Sequence, residues 1–191
     1  APHEGRPIEE KEEFYKQLDK RCWKITKKKE LLCIGDFNVR WHARREHEHD
    51  TLGPFTVGRG NEFMEKKESK LMQATNRELC MDWCHSNDMV HSNSWFEKDI
   101  ERKITYRELG TPETQDDFNW IDYAELDHCF TRKNWRNSIK DLEARRELHV
   151  DSNHYPVISR YKRRLAKPDE DEQDAKKSWK GPLLPTLQLK N

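Results

Sequence analysis

Apolar and polar positions change period several times along this chain. From Pro7 onward, Phe14, Leu18 and Cys22 recur at the spacing of an amphipathic helix. Pro7 suits its first position, and Glu9, Glu10, Glu12 and Glu13 crowd the turns where the helix dipole favours acids. Lys27, Lys28 and Lys29 predict a solvated turn. A buried strand is expected next, because Leu31, Leu32, Cys33 and Ile34 run into Gly35 and Asp36. Period two puts Asp36 and Asn38 on one side at its carboxyl end, with Phe37 behind them. An acid and an amide held together there are suited to a magnesium ion and a phosphate.

Residues 39–66 lack a sustained period. Arg40, His42, Arg44, Arg45, His47 and His49 form a basic, histidine-rich loop, and turns follow at Gly53, Pro54, Gly58 and Gly60. No Gly-Lys-Ser or Gly-Lys-Thr completes a phosphate cradle. Leu71, Leu79, Cys80, Trp83 and Cys84 predict a helix over 67–86, ending at Asn87 and Asp88. Strands are expected at 89–95, at Thr105 and Tyr106, and in two halves at 120–123 and 128–130, split by Glu125 and Asp127. A loop is expected over 108–119, and 138–143 suits an edge strand poorly.

Composition narrows the class. Of 191 residues, 33% are hydrophobic and 38% charged, which is polar for a self-contained globule, yet seven Trp, seven Phe and five Tyr argue against general disorder. With 36 basic and 36 acidic residues the formal net charge is zero, which argues against a non-specific nucleic-acid coat. Local patches remain, and Arg40, Arg44, Arg45, Lys162, Arg163 and Arg164 are the candidate nucleic-acid-facing residues. Five cysteines lying mostly in apolar runs read as buried thiols of an intracellular, reducing compartment, an organelle included. Cys80 and Cys84, with His85 beside them, read as core packing rather than zinc ligands. No run approaches the ~20 apolar residues that cross a membrane. After residue 160 the charge runs lengthen, so the expected organisation is a domain over 1–160 and a charged, extended tail over 161–191.

Four motifs stand in order: Gly35, Asp36, Phe37, Asn38; Thr105, Tyr106; Ile121, Asp122, Tyr123; and Ser152, Asn153, His154, Tyr155, Pro156, Val157. The series resembles the carboxyl-terminal half of the endonuclease/exonuclease/phosphatase superfamily, in particular the endonuclease domain of non-LTR retrotransposons, and Arg77, Leu79 and Trp83 match the helix between the central motifs. The resemblance implies an α+β fold, a truncated half of a two-layer β-sandwich with flanking helices. It implies that Asp36 polarises the attacking water, Asn38 contacts the scissile phosphate, Asp122 supports the site and His154 stabilises the phosphate.

Two departures shape the expected function. The family's Ser-Asp-His is Ser152, Asn153, His154 here, and an amide keeps a hydrogen bond but loses the charge that orients the imidazole. Losing an equivalent orienting acid in a hydrolase costs a factor of about 10⁴. The family's metal-binding glutamate belongs to the first half of the domain, which has no counterpart here, so Asp36 would hold a metal only weakly. The expectation is therefore a catalytically degenerate fragment with a vestigial phosphodiesterase site, acting as a structural subunit of a large, ribonucleoprotein-type assembly. It would need no cofactor, and other protein subunits would cover the missing half-domain, with RNA as a further partner. The alternatives are a Mg²⁺-dependent endonuclease completed by a first half on another chain, and a non-catalytic nucleic-acid-binding module.

Overall fold

In the computed structural model, residues 1–68, 75–111, 122–148 and 150–163 are described. Pro7 leads into α1 (Ile8–Trp23), with Glu9 and Glu10 in the first turn and Lys20 and Arg21 in the last. Its inward face buries Tyr15 and Cys22, with Phe14 and Leu18 half-buried alongside. The helix expected over 67–86 is instead two helices, α2 (Asn61–Glu68) and α3 (Asn76–Asn87), and Leu71 lies outside the described residues. The break has a local cause. Thr75 opens α3 with a capping box, its N–H donating to the Glu78 carboxylate at 3.1 Å. Asp88, left-handed at φ 55°, closes the helix. α1 packs on α3.

Among the described residues the strands are β1 (Leu32–Asp36), β2 (Met89–His91), β3 (Tyr106–Arg107), β4 (Tyr123–Ala124), β5 (Asp127–Arg132), β6 (Ile139–Ala144) and β7 (Val157–Tyr161). They form three small sheets, β1-β5-β2, β3-β4 and β6-β7, with every strand pairing antiparallel. The fold is thus mixed α+β. The strand expected over 89–95 stops at His91, where residues 92–95 coil into a 3-10 turn. β7 runs to Tyr161. Arg164 and the remainder of the expected tail lie outside the described residues.

The main core lies between α1, α3 and the three-stranded sheet. Phe37, Trp83 and Phe130 stack edge-on or tilted, with centroids 4.7 to 5.9 Å apart, and Trp41 joins them. Burying each such ring contributes roughly 1.5–3 kcal/mol. β1 does not have the expected burial. It is the sheet's edge strand, and Leu32 and Ile34 are 37% and 67% exposed while Cys33 turns to the core side. Two-fold side-chain alternation on an edge with one covered face accounts for this. No helix among the described residues is long and apolar enough to cross a membrane.

Candidate functional site

The end of β1 and the start of β5 lie opposite each other, with Asp36 in register with Asp127. Beyond β1 the chain bends sharply, because Asn38 adopts a left-handed φ of 50°, a conformation asparagine tolerates better than most residues. The bend brings both Asn38 donors back onto the acid: the backbone N–H reaches Asp36 Oδ1 at 2.8 Å and the side-chain amide reaches Oδ2 at 3.2 Å. Across the register, Asp127 Oδ2 meets His154 Nδ1 at 2.7 Å. Asn38 and His154 line one cavity, and Asp36 stands in register with the acid that pairs with His154.

Asp122 lies in the turn before β4, where its carbonyl accepts the Glu108 N–H at 2.7 Å. The acid that orients His154 is Asp127, brought across by the β1–β5 ladder. The charge expected to be missing at Asn153 is thereby supplied from another strand. The Asn153 carbonyl accepts the Arg107 N–H at 2.9 Å, so residue 153 ties the His154 loop to β3.

Thr105 clamps both halves of the Asp127–His154 pair. Its hydroxyl oxygen accepts the N–H groups of Leu126 and Asp127 at 2.9 and 3.0 Å, and its carbonyl accepts the Tyr155 N–H at 2.7 Å. The Tyr106 ring lies 5.1 Å from His154. Its hydroxyl donates to Glu108, and that bond, with some burial, holds the phenol above its ordinary pKa.

A cavity of about 290 Å³ opens beside this constellation, lined among others by Asn38, Arg40, His42, Arg45, Arg77 and His154. The basic loop supplies its cationic wall. Arg40 donates to the Tyr123 carbonyl at 3.2 Å, and burial pulls its pKa below the usual guanidinium value. Arg45 reaches Glu48 and Glu78, and Arg44 donates to the Leu52 carbonyl. Arg77 is buried and holds the loop in place. It grips both oxygens of fully buried Glu48 at 2.7 Å each and donates to the carbonyls of Trp41 and Ala43. Gly58 is needed here, since a Cβ on it would come within 2.4 Å of the His42 Cα. Lys162 and Arg163 lie on the β7 side, where Arg163 is 3.7 Å from Glu30, so they do not share the cavity with Arg40 and Arg45.

A second cluster lies directly beneath. His91 on β2, Glu125 before β5 and His128 on β5 are all buried, and one ligand atom from each falls within 4.8 Å of the others. His91 Nε2 and His128 Nδ1 are 2.8 Å apart, and His128 Nε2 donates to the Val39 carbonyl at 3.0 Å. Burial drives the His91 pKa well below its ordinary value and takes His128 down to about 4, so both rings are neutral and have lone pairs for a metal. Burial also raises Glu125 to about 7, against the pull of the nearby Lys103 charge. This triad overturns the expectations of a catalytically degenerate structural fragment, of a vestigial site in a non-enzyme or pseudoenzyme, and of a chain without a cofactor. It is a group of metal-ligating type in which Glu125 and His128 stand three positions apart and β2 brings in His91 from 37 positions before His128.

No protein-family model matches the chain. Over 153 residues it is 26% identical to craniofacial development protein 2 of Tragulus javanicus and of Bos taurus. The matched region covers 80% of this chain and 22% of each relative, so the chain spans about a fifth of the length of the curated relatives it matches. The likeness read from the motif series thus extends over most of the chain.

Proposed function

We propose that this chain carries the hydrolytic wall of a Mg²⁺-dependent endonuclease of the endonuclease/exonuclease/phosphatase type, built on half of that fold's two-layer sandwich. The observation that carries the reading is the 2.7 Å Asp127–His154 pair in register with the Asp36–Asn38 pair, with Asn38 and His154 lining a cavity that Arg40, Arg45 and Arg77 share with Glu4, Glu78 and Glu108. The similarity to the family's motif series adds to it.

Each residue has a role that follows from its bonds. Asp36 retains lone pairs beyond those taken by Asn38, enough to accept a proton from a water aimed at phosphorus. His154, with Nδ1 directed at Asp127, presents its other nitrogen for a phosphate oxygen when the ring is protonated. Arg40 brings a guanidinium to the cavity, while Arg45 and Arg77 there are ion-paired with Glu48 and Glu78. Mg²⁺ prefers hard oxygen ligands and keeps several waters. The donors at this surface fit it in kind: the Asp36 carboxylate is the residue that would hold such an ion, which when bound supplies charge neutralisation at the phosphate. Among the described residues the one grouping of three ligand-type side chains is the buried one beneath, so water and phosphate would complete the shell.

Among the described residues β1 is an edge strand with Ile34 two-thirds exposed on its outer face, which supports a further wall contributed by another chain or by sequence outside these residues. The test is nicking of supercoiled plasmid and of a structured RNA in Mg²⁺ and in EDTA. Cleavage by the wild type that EDTA stops and Asp36→Asn abolishes supports the reading. Equal cleavage by the two proteins, or none by the wild type in complex with its co-purified partners, contradicts it.

A further inference from the structure

We propose that His91, Glu125 and His128 hold one Zn²⁺-class ion as a buried three-residue centre, its fourth position left to water, beside the Asp127–His154 pair. The inference is separate from the cleavage reading. A buried polar atom without a partner costs free energy, and Glu125 Oε2 in this pocket has no hydrogen-bond partner. The nearest cation does not resolve the deficit. Lys103 spends its protons on the carbonyls of Asn93 and Phe96, at 2.9 and 3.5 Å, and makes no ion pair with Glu125.

The surroundings are those of a ligand set. His128 donates its Nε2–H to the Val39 carbonyl, which fixes the tautomer and leaves Nδ1 as a lone pair. Glu125 accepts from the Asn93 amide through Oε1 at 3.2 Å, which leaves Oε2 to point elsewhere. Two imidazoles and one carboxylate form a nitrogen-rich set suited to zinc, unlike the all-oxygen shell that magnesium demands. Burial of all three side chains excludes substrate and favours a resident ion. The ring nitrogens, 2.8 Å apart, must part to about 3.3 Å to share a tetrahedral zinc, a side-chain rotation of about half an ångström. The ion takes the place of the proton between the rings, and any proton on Glu125 leaves to solvent. Such a centre pins β2 to β5 and both to the chain after Asn38, the three segments that aim Asp36, Asn38 and Asp127.

The experiment uses the untagged full chain, loaded with zinc, washed with chelator and assayed for metal. About one equivalent per chain is expected, lost in Glu125→Gln and His91→Gln and kept in Asp36→Asn. Melting should rise by about 10 °C when zinc is near a thousandfold above its Kd. Cobalt on the wild type provides a readout that needs no variant to fold: intense visible bands of a tetrahedral ion support the centre. Background zinc with unchanged melting, the weak pink spectrum of aqueous cobalt, or zinc lost in Asp36→Asn but kept in Glu125→Gln would overturn it.

Discussion

Arg77→Met tests how the cavity loop is held. Arg77 is 5% exposed and makes four hydrogen bonds, two to the Glu48 carboxylate and two to the carbonyls of Trp41 and Ala43. Methionine keeps the stem's volume and removes every donor. Stranding a buried partner of an ion pair costs roughly 3–5 kcal/mol. Arg45 still donates its backbone N–H and guanidinium to Glu48, at 2.7 and 3.2 Å, so the loss should sit at the lower end. About 3 kcal/mol, or about 6–12 °C in melting temperature for a chain of this size, is expected. Burial alone would raise the Glu48 pKa, but the Arg77 and Arg45 bonds outweigh it and hold the carboxyl below its ordinary 4.5. A depressed carboxyl stabilises the fold fully above its unfolded pKa, and that stability is lost as pH falls through the folded value. The gap between wild type and variant should therefore be widest at pH 7 and narrow below pH 4.5. The assay is urea unfolding at both pH values, with Glu48→Gln/Arg77→Met expected to recover part of the loss. A cost under about 1 kcal/mol at pH 7, or a gap that ignores pH, would refute the reasoning.

Two further outcomes follow from the same geometry. Thr105→Val removes the acceptor for two buried N–H groups; it should cost about 2 kcal/mol and slow cleavage, with Thr105→Ser restoring both in urea melts and nicking assays. Ile34→Lys on the open edge should change the stability of the isolated chain by no more than about 0.5 kcal/mol yet abolish co-purification of any partner that adds to the sheet.

Local signals in the sequence located most elements. The stripe of Phe14, Leu18 and Cys22, spaced four apart, marks α1, and the apolar run into Gly35 and Asp36 marks β1, because helix and strand periods are properties of neighbouring residues. The same signals placed Asp36 and Asn38 together. They did not reach Asp127, which looked like an interruption of a strand. Its partner His154 lies 27 residues away, and only the β1–β5 register brings the acid to that side. The Arg77–Glu48 pair and the His91, Glu125 and His128 group were hidden for the same reason: buried polar partners are chosen by tertiary packing, and their spacings in sequence carry no period. The break between α2 and α3 was legible in principle, since Thr75 followed by Glu78 is a capping box, but the apolar residues across it mimicked one continuous stripe.

The central claim is that His154 is oriented by Asp127 for phosphodiester hydrolysis. Steady-state cleavage by Asp127→Asn and Asp122→Asn, each with a melting curve, tests it most directly. Asp127→Asn should fold and lose about 10³–10⁴ in kcat, as removal of an orienting carboxylate does elsewhere, while Asp122→Asn stays within a few-fold of wild type. Undiminished turnover in Asp127→Asn, or an equal collapse in Asp122→Asn, would contradict the account.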